Sequence, residues 1–432
     1  MVLHLLIKNF GKVAAADIVL NNLVVFVGNN NSGKTMVLQL IYGLRKELKN
    51  IPLPVLGVRS SDLNGQYLVQ CAQDWFREVE VRANRYLAEN KLRIMEDIFG
   101  IPIYAEEIKI ALEGMGSTKF VSSISGYEDR DAEEQKTGIS IDTRQYENGK
   151  SMKSFINRIP VGGYSDDGAA EALRIVWRII LTGTADQESN QLFLPAARSG
   201  LQLLYKHYFA GKIEGNLVMP VKEFLRFLQL YAENKQLSES QRALLEFGEQ
   251  HLLAGKVVQR GEETFYFDED RGREFSLHIA SSMIHELTPF IKALNATQQI
   301  DWLYCDEVEN SLHPLLQREM ARWLIRMANA GMHVLISSHS DTMASRLNNL
   351  FMLTQLNRRQ GNFKRLEELE LVEADLLRPD VEVSVYEFQS EKQKGTMVKK
   401  MEFIEYPLLG YEFELFGKNL DKLYDEADKI TR

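Results

Sequence analysis

The chain has 432 residues, 45% apolar and 26% charged, which is enough to bury a sizeable core without disulfide or metal staples. With 10 prolines and 28 glycines it is neither collagen-like nor low-complexity, and no apolar run approaches the ~20 residues that a membrane-spanning helix needs. The 51 basic and 60 acidic residues leave a net charge of -9, which argues against a protein dominated by non-specific attraction to nucleic-acid phosphates but not against a local basic groove.

The opening MVLHLLIKNFGK lacks a basic head, a long apolar core and a small-residue cleavage site, so no secretory leader is expected. Cys71 and Cys305 lie too far apart in sequence for a disulfide framework or a zinc site, and a reducing cytoplasm is the expected setting. Residues 1–27 read as three strands, LHLLIKNF, ADIVL and LVVFVG; the last is continuously apolar, as a strand covered on both faces would be. After GNNNSGKT, apolar residues at helical spacing (Val37, Leu40, Ile41, Leu44, Leu48) predict a helix. Residues 66–98 predict a long helix ended by Gly100 and Pro102. Residues 103–160 alternate apolar and polar and predict an antiparallel sheet, with YEDRDAEEQKTG as an exposed turn. A helix at 168–182 precedes QLFLPAARSG, a strand that turns at Pro195 and Gly200. Helices follow at about 201–211, 219–234 and 238–253.

Residues 256–278 return to strand, with a hairpin at DEDRGRE. SSMIHELTPFIKAL then predicts a helix, IDWLYCDE a buried strand, HPLLQREMARWLIRMANAG a helix ended by Gly331, and MHVLISSHS another strand. The tail predicts strands near 383–389 and 398–406, forming an edge hairpin, and a helix near 415–430. With no repeat and no flexible linker, the domains are expected to be nested: a core of residues 1–60 and 256–432 interrupted by an inserted region, 61–255, of helices and antiparallel strands.

Gly28-Asn29-Asn30-Asn31-Ser32-Gly33-Lys34-Thr35 fits G-x-x-x-x-G-K-[ST] between a buried strand and a helix. Glycines let the backbone approach phosphates closely, and the loop N–H groups and the helix N-terminus supply positive potential. Lys34 is placed to reach the β- and γ-phosphates, and the Thr35 hydroxyl to coordinate Mg2+. Farther on, Asp306 and Glu307 end an apolar strand, where Asp306 can hold Mg2+ and Glu307 can polarise water. A bare acidic pair is usually an ordinary strand end. Here Asn310-Ser311-Leu312-His313-Pro314 follows at once, and Ile336-Ser337-Ser338-His339-Ser340 one helix later, with His339 where a γ-phosphate sensor would be useful.

Together GNNNSGKT, YCDEVENSLHP and ISSHSD, with the leading IKNFGKVAAADIVL, resemble the Walker A, Walker B with D-loop, and H-loop of ABC-type ATPases of the SMC, RecF and OLD group. The likeness is nearest to compact anti-phage ATPases of the Septu, PARIS and retron-associated type. It implies an α/β P-loop NTPase: an ABC-ATPase head with a mixed sheet, an antiparallel β subdomain and an inserted helical lobe. It also implies ATP and Mg2+ as ligands, and a homodimer, or a larger oligomer built on it, in which each ATP meets the partner's signature loop. Ser276–Met283 is the candidate for that loop, with Ser281 or Ser282 supplying the hydroxyl; Met283 stands where glycine is common, and simple N-capping by either serine is the alternative. No Q-loop glutamine is placed, because Gln39 lies inside the Walker A helix. Arg198, in LPAARSG, either contacts phosphate or the partner subunit, or is a structural ion-pair residue.

The gap between Lys34 and Asp306 carries no sustained heptads, so a long-armed SMC protein is excluded. The stretch after His339 contains no Asp-x-Asp strand motif, so a nuclease or toxin activity is expected from a separate polypeptide. The alternative is a RecF-like repair ATPase that binds DNA directly, through a stripe formed by Lys8, Lys12, Arg45, Lys46 and Lys49.

Overall fold

The structure, a computed structural model, describes residues 2–55, 59–63, 66–129, 136–160, 168–184, 190–212, 215–261, 263–361, 364–391, 393–405 and 409–414. The middle of the acidic stretch YEDRDAEEQKTG and the tail helix expected near 415–430 lie outside these residues.

The chain begins with β1 (Val2–Phe10), β2 (Val13–Val19), β3 (Leu23–Gly28) and α1 (Lys34–Leu48). There follow β4 (Arg59–Leu63), β5 (Gln66–Cys71), α2 (Gln73–Phe99), β6 (Ala105–Glu113), β7 (Thr118–Asp129), β8 (Lys136–Glu147), β9 (Lys150–Pro160) and α3 (Gly168–Thr182). Next come β10 (Asn190–Leu194), α4 (Arg198–Phe209), α5 (Met219–Leu230), α6 (Glu239–Gly248) with a π turn at Glu249–Leu253, and the strands β11 (Gly255–Arg260), β12 (Glu263–Asp268) and β13 (Arg273–Ser276). The last part holds α7 (Ser282–Leu294), β14 (Ile300–Cys305), α8 (Pro314–Asn329), β15 (His333–Ser338), α9 (Asp341–Gln360), α10 (Lys364–Glu368), β16 (Val383–Glu391) and β17 (Gly395–Lys400).

Among the described residues one mixed sheet of nine strands runs β10-β14-β15-β3-β16-β17-β2-β1-β6. The five strands from β10 to β16 are parallel, so side chains on both of their faces must be covered. Alternate residues divide between two cores. Val24 and Phe26 of β3, Trp302 and Tyr304 of β14, and Tyr386 and Phe388 of β16 pack toward α1, α2 and α3. Leu23, Val25 and Val27, Leu303 and Cys305, and Val385 pack toward α7, α8 and α9. Each fully buried aliphatic side chain contributes ~1.5–3 kcal/mol, so this two-sided covering fixes where β3 and β14 end, and with them the two motif loops. A five-stranded antiparallel sheet, β4-β5-β7-β8-β9, and a three-stranded one, β11-β12-β13, flank the core sheet. No helix among the described residues is long and apolar enough to cross a membrane.

The expected α/β class with a mixed sheet is found, and three expectations are corrected. Residues 66–71 are strand, not the start of the long helix: Val69 and Cys71 are buried and Leu68 and Gln70 half-buried, a period of two. The helix starts at Gln73 and ends where Gly100, at φ 73°, donates to the Glu96 carbonyl at 2.8 Å. Two strands of the expected insertion belong to the core sheet, β6 by pairing with β1 and β10 by pairing with β14, so 61–255 is not hydrogen-bonded as a separate unit. The β16–β17 hairpin is interior: β16 lies parallel to β3 and β17 parallel to β2, so the hairpin joins the two halves of the sheet.

The π turn carries a pH-sensitive group. Burial pushes the Glu249 carboxyl up from 4.5 to about 7. The folded chain therefore holds this proton more tightly than the unfolded chain, and stability falls as pH rises between those values. Glu249→Gln is expected to leave the melting temperature unchanged near pH ~4 and to raise it at pH ~8. Thermal melts at the two pH values test this, and equal melting of variant and parent at the higher pH would refute it.

Candidate nucleotide site

β3 delivers the chain to Gly28 at φ 149°, where an added Cβ would stand 2.7 Å from the Phe388 carbonyl oxygen of β16. The loop closes at Gly33, φ 95°, where a Cβ would stand 2.9 Å from Val13. Both glycines are thus demanded by neighbouring strands as well as by any phosphate in the loop. Lys34 begins α1 and is buried; its ammonium donates to the carbonyls of Gly28 and Asn29, each at 2.8 Å, and to Ser32 Oγ at 3.4 Å. Burial lowers its pKa, opposed by the charges of Asp306, Glu309 and Glu307. Asn29, Asn30 and Asn31 are exposed on the rim.

The cleft above the loop has a volume of about 160 Å3 and is lined by Asn30 to Met36, Lys12, Asp306, Glu307 and Ser337. Thr35 Oγ1 lies 2.9 Å from both oxygens of Asp306, and Ser337 Oγ donates to Asp306 Oδ1 at 2.5 Å. Burial raises the Asp306 pKa, opposed by the hydrogen bonds from Ser337 and Thr35. A buried carboxylate beside a hydroxyl, both hard oxygen donors, suits Mg2+. A cation there would also offset the cost of burying the carboxylate charge.

Glu307 is held in the left-handed region, φ 49°, an uncommon conformation for a residue with a side chain. Its N–H donates to Ser337 Oγ at 2.9 Å, so this one hydroxyl bridges the Asp306 carboxylate and the Glu307 backbone. Glu309, 5% exposed, accepts from the His339 backbone N–H at 2.6 Å, and the same oxygen lies 3.1 Å from His339 Nδ1. Neither Ser337 nor Glu309 was singled out from sequence, although both stand inside the motifs ISSHS and DEVENSLHP. His339 itself is half-exposed and does not line the cleft.

Ser281 caps α7 with its backbone only, since its side chain makes no capping hydrogen bond. Ser281 and Ser282 are exposed and form no part of the cleft in their own chain. No glutamine lines the cleft among the described residues, and Gln39 is half-buried on α1. Arg198 is 1% exposed, pairs with Glu286 at 2.7 Å and does not line the cleft, as its reading as a structural ion-pair residue expects. The five residues of the candidate basic stripe have separate surroundings; Lys49 lines a different cleft, with Ile51 and Trp177. Lys8 pairs with Glu107, Lys46 with Glu223, and Arg45 is buried against the Trp302 ring at 3.6 Å, while Lys12 lines the nucleotide cleft.

A phosphate loop after a buried parallel strand, with a facing acidic strand end, defines a P-loop ATPase. Residues 100–345 match the family described as "AAA domain, putative AbiEii toxin, Type IV TA system", which covers more than half of the chain, and the chain belongs to this family. Residues 1–157, including the phosphate loop, match a second description, "AAA ATPase domain". No curated protein sequence matches the chain. Solved structures that resemble it include an SMC head bound to the C-terminal winged-helix domain of ScpA, at 12% identity, TM-score 0.37, covering 93% of this chain and 97% of that one. The SMC head domain from Thermotoga maritima gives 9%, 0.34, 93% and 99%. The Pyrococcus furiosus SMC head with an extended coiled coil, bound to the C-terminal domain of ScpA, gives 11%, 0.35, 100% and 99%.

Proposed function

We propose that this ATPase is a switch in which two copies close around two ATP molecules, and that the closed dimer regulates a separate nuclease or toxin effector in bacterial anti-phage defence. Lys34, now resting on loop carbonyls, turns to the β- and γ-phosphates when they enter, together with the N–H groups of Asn29 to Gly33. Thr35 and Asp306 hold Mg2+, which when bound neutralises phosphate charge. Glu307 orients the attacking water and accepts its proton. His339, steered by Glu309, senses the γ-phosphate. Ser281 and Ser282 reach the ATP held by the partner subunit, and the free N-terminus of α7 adds positive potential.

The observation that carries the dimer reading is the one-sidedness of the cleft: its walls come from the phosphate loop and the start of α1, Lys12 of the β1–β2 turn and the ends of β14 and β15, while the exposed Ser281 and Ser282, beside an Ile279 that is 74% exposed, contribute nothing to it. The family description, a putative toxin of a type IV toxin–antitoxin system, supports a role in a toxin system; it names the ATPase domain itself and no separate effector. Direct DNA clamping is disfavoured by the pairing or burial of Lys8, Lys46 and Arg45.

Lys34→Ala is expected to weaken ATP binding ~100-fold or more, because a cation meeting several phosphate oxygens is lost from a partly buried site. Titration with a fluorescent ATP analogue tests this, and unchanged affinity would remove Lys34 from the site. The functional reading is tested by purifying the protein with its genomic neighbours. Support is an ATP-dependent dimer carrying a nuclease or toxin subunit. A protein that stays monomeric with ATP, or binds DNA alone without a partner, overturns it.

A further inference from the structure

We infer that Arg198 is a positioning residue: it holds the backbone of Glu307 in its left-handed conformation and ties it to α7, the helix whose N-terminus carries Ser281 and Ser282. This rests on Glu307 being the residue that orients the attacking water.

Arg198 opens α4, directly after the strand that neighbours β14. Its guanidinium is fully buried and its donors are divided among different elements. Nη1 donates to the Asp306 carbonyl at 2.9 Å and the Pro195 carbonyl at 3.2 Å, and Nη2 to the Glu307 carbonyl at 3.3 Å. Nε donates to the Glu286 carbonyl of α7 at 3.3 Å and lies 2.7 Å from Glu286 Oε2, and Glu286 is itself 1% exposed. Hydrogen bonds from a charged donor in a buried site are stronger than neutral ones, so this grip on two consecutive carbonyls is firm. It acts where it is needed, because φ 49° at a residue with a side chain persists only when the surroundings impose it.

The same segment makes the grip two-ended. Gln202, one turn along α4, donates to the His285 carbonyl of α7 at 2.5 Å. Asn310, three residues after Glu307, donates through Nδ2 to the Ala196 carbonyl at 2.8 Å, and its N–H donates to the Glu307 carbonyl at 3.0 Å. A shift of α7 on meeting the partner's nucleotide is therefore felt at the Glu307 carbonyl through one guanidinium. A lysine cannot replace it, because one ammonium does not span two carbonyls and a carboxylate with planar fork geometry.

The test compares the parent protein, Glu307→Gln, Arg198→Lys and the double variant by single-turnover ATP hydrolysis, with nucleotide affinity measured separately. Arg198→Lys is expected to slow hydrolysis about tenfold or more while ATP affinity stays within about threefold. Because Arg198 acts through Glu307, the double variant should be no slower than Glu307→Gln alone. Parental turnover in Arg198→Lys, or a double variant slowed by the full product of the two factors, overturns the inference. Parental turnover in Glu307→Gln overturns the reading of Glu307 instead. If Arg198→Lys does not fold, Glu286→Gln replaces it in the same cycle. It removes the carboxylate charge beside the guanidinium, while Nε keeps the Glu286 carbonyl, and is expected to slow hydrolysis in the parent but not in the Glu307→Gln background. Parental turnover there overturns the charge pair as part of the tie.

Discussion

Glu307→Gln should still bind ATP, and its hydrolysis should fall by ~10^2–10^4, the usual contribution of a positioned general base. The amide keeps the side chain's length and shape, and the backbone supports of Glu307 are untouched: the Ser337 hydroxyl on its N–H, and Arg198 and Asn310 on its carbonyl. Only the ability to take a proton from water is removed. The variant should accumulate as an ATP-bound dimer, because Lys34 and Thr35 are intact and product forms only slowly. Steady-state hydrolysis and light scattering with and without ATP measure the two halves of this expectation. Turnover within about threefold of the parent would move the base to another residue.

Trp323→Ala should cost about 3–5 kcal/mol of stability, the range for emptying a buried aromatic site. Trp323 is fully buried on α8; its ring lies 5.7 Å from that of Phe290 on α7, and its indole N–H donates to the Leu244 carbonyl of α6 at 2.8 Å. At Gly248 a Cβ would stand 2.4 Å from the indole, so α6 approaches as closely as glycine allows. Truncation opens a cavity among three helices and removes the indole's hydrogen bond to the Leu244 carbonyl. Trp323→Phe should lose less, keeping most of the volume. Denaturant unfolding of both variants decides this, and a loss under ~1 kcal/mol in the alanine variant would show that α6 and α8 can collapse onto the gap.

What could be read from the chain was what neighbouring residues determine. GNNNSGKT announces a strand, a loop and a helix within its own span, and LYCDE announces a strand end with its carboxylates. Partner choice is different. Nothing in AEEIKIALE says that β6 pairs with β1 and not with the strands that follow it. Nothing in VSVYEFQ marks an interior strand over an edge one, because pairing is decided by residues hundreds of positions away. YLVQC read as helix because it abuts one, whereas its burial period is two. Ser337 and Glu309 were visible as residues, but their roles exist only once the ends of β14 and β15 lie side by side. The two readings of Arg198 turn on burial, which a single sequence does not record.

The interior position of the β16–β17 hairpin has a consequence for how the molecule is made. Leu23 and Val383 are neighbours in the finished sheet, so the strand leading into the phosphate loop waits for nearly the whole chain before its second flank is covered. Until then β3 and β2 both present open edges, the condition under which nascent chains pair wrongly or aggregate. Contacts closing so late and across so much chain make folding slow. On a ribosome, the site that binds nucleotide would be among the last parts to form, and a chain released before Val383 would carry the phosphate-loop sequence without the strand that Gly28 packs against.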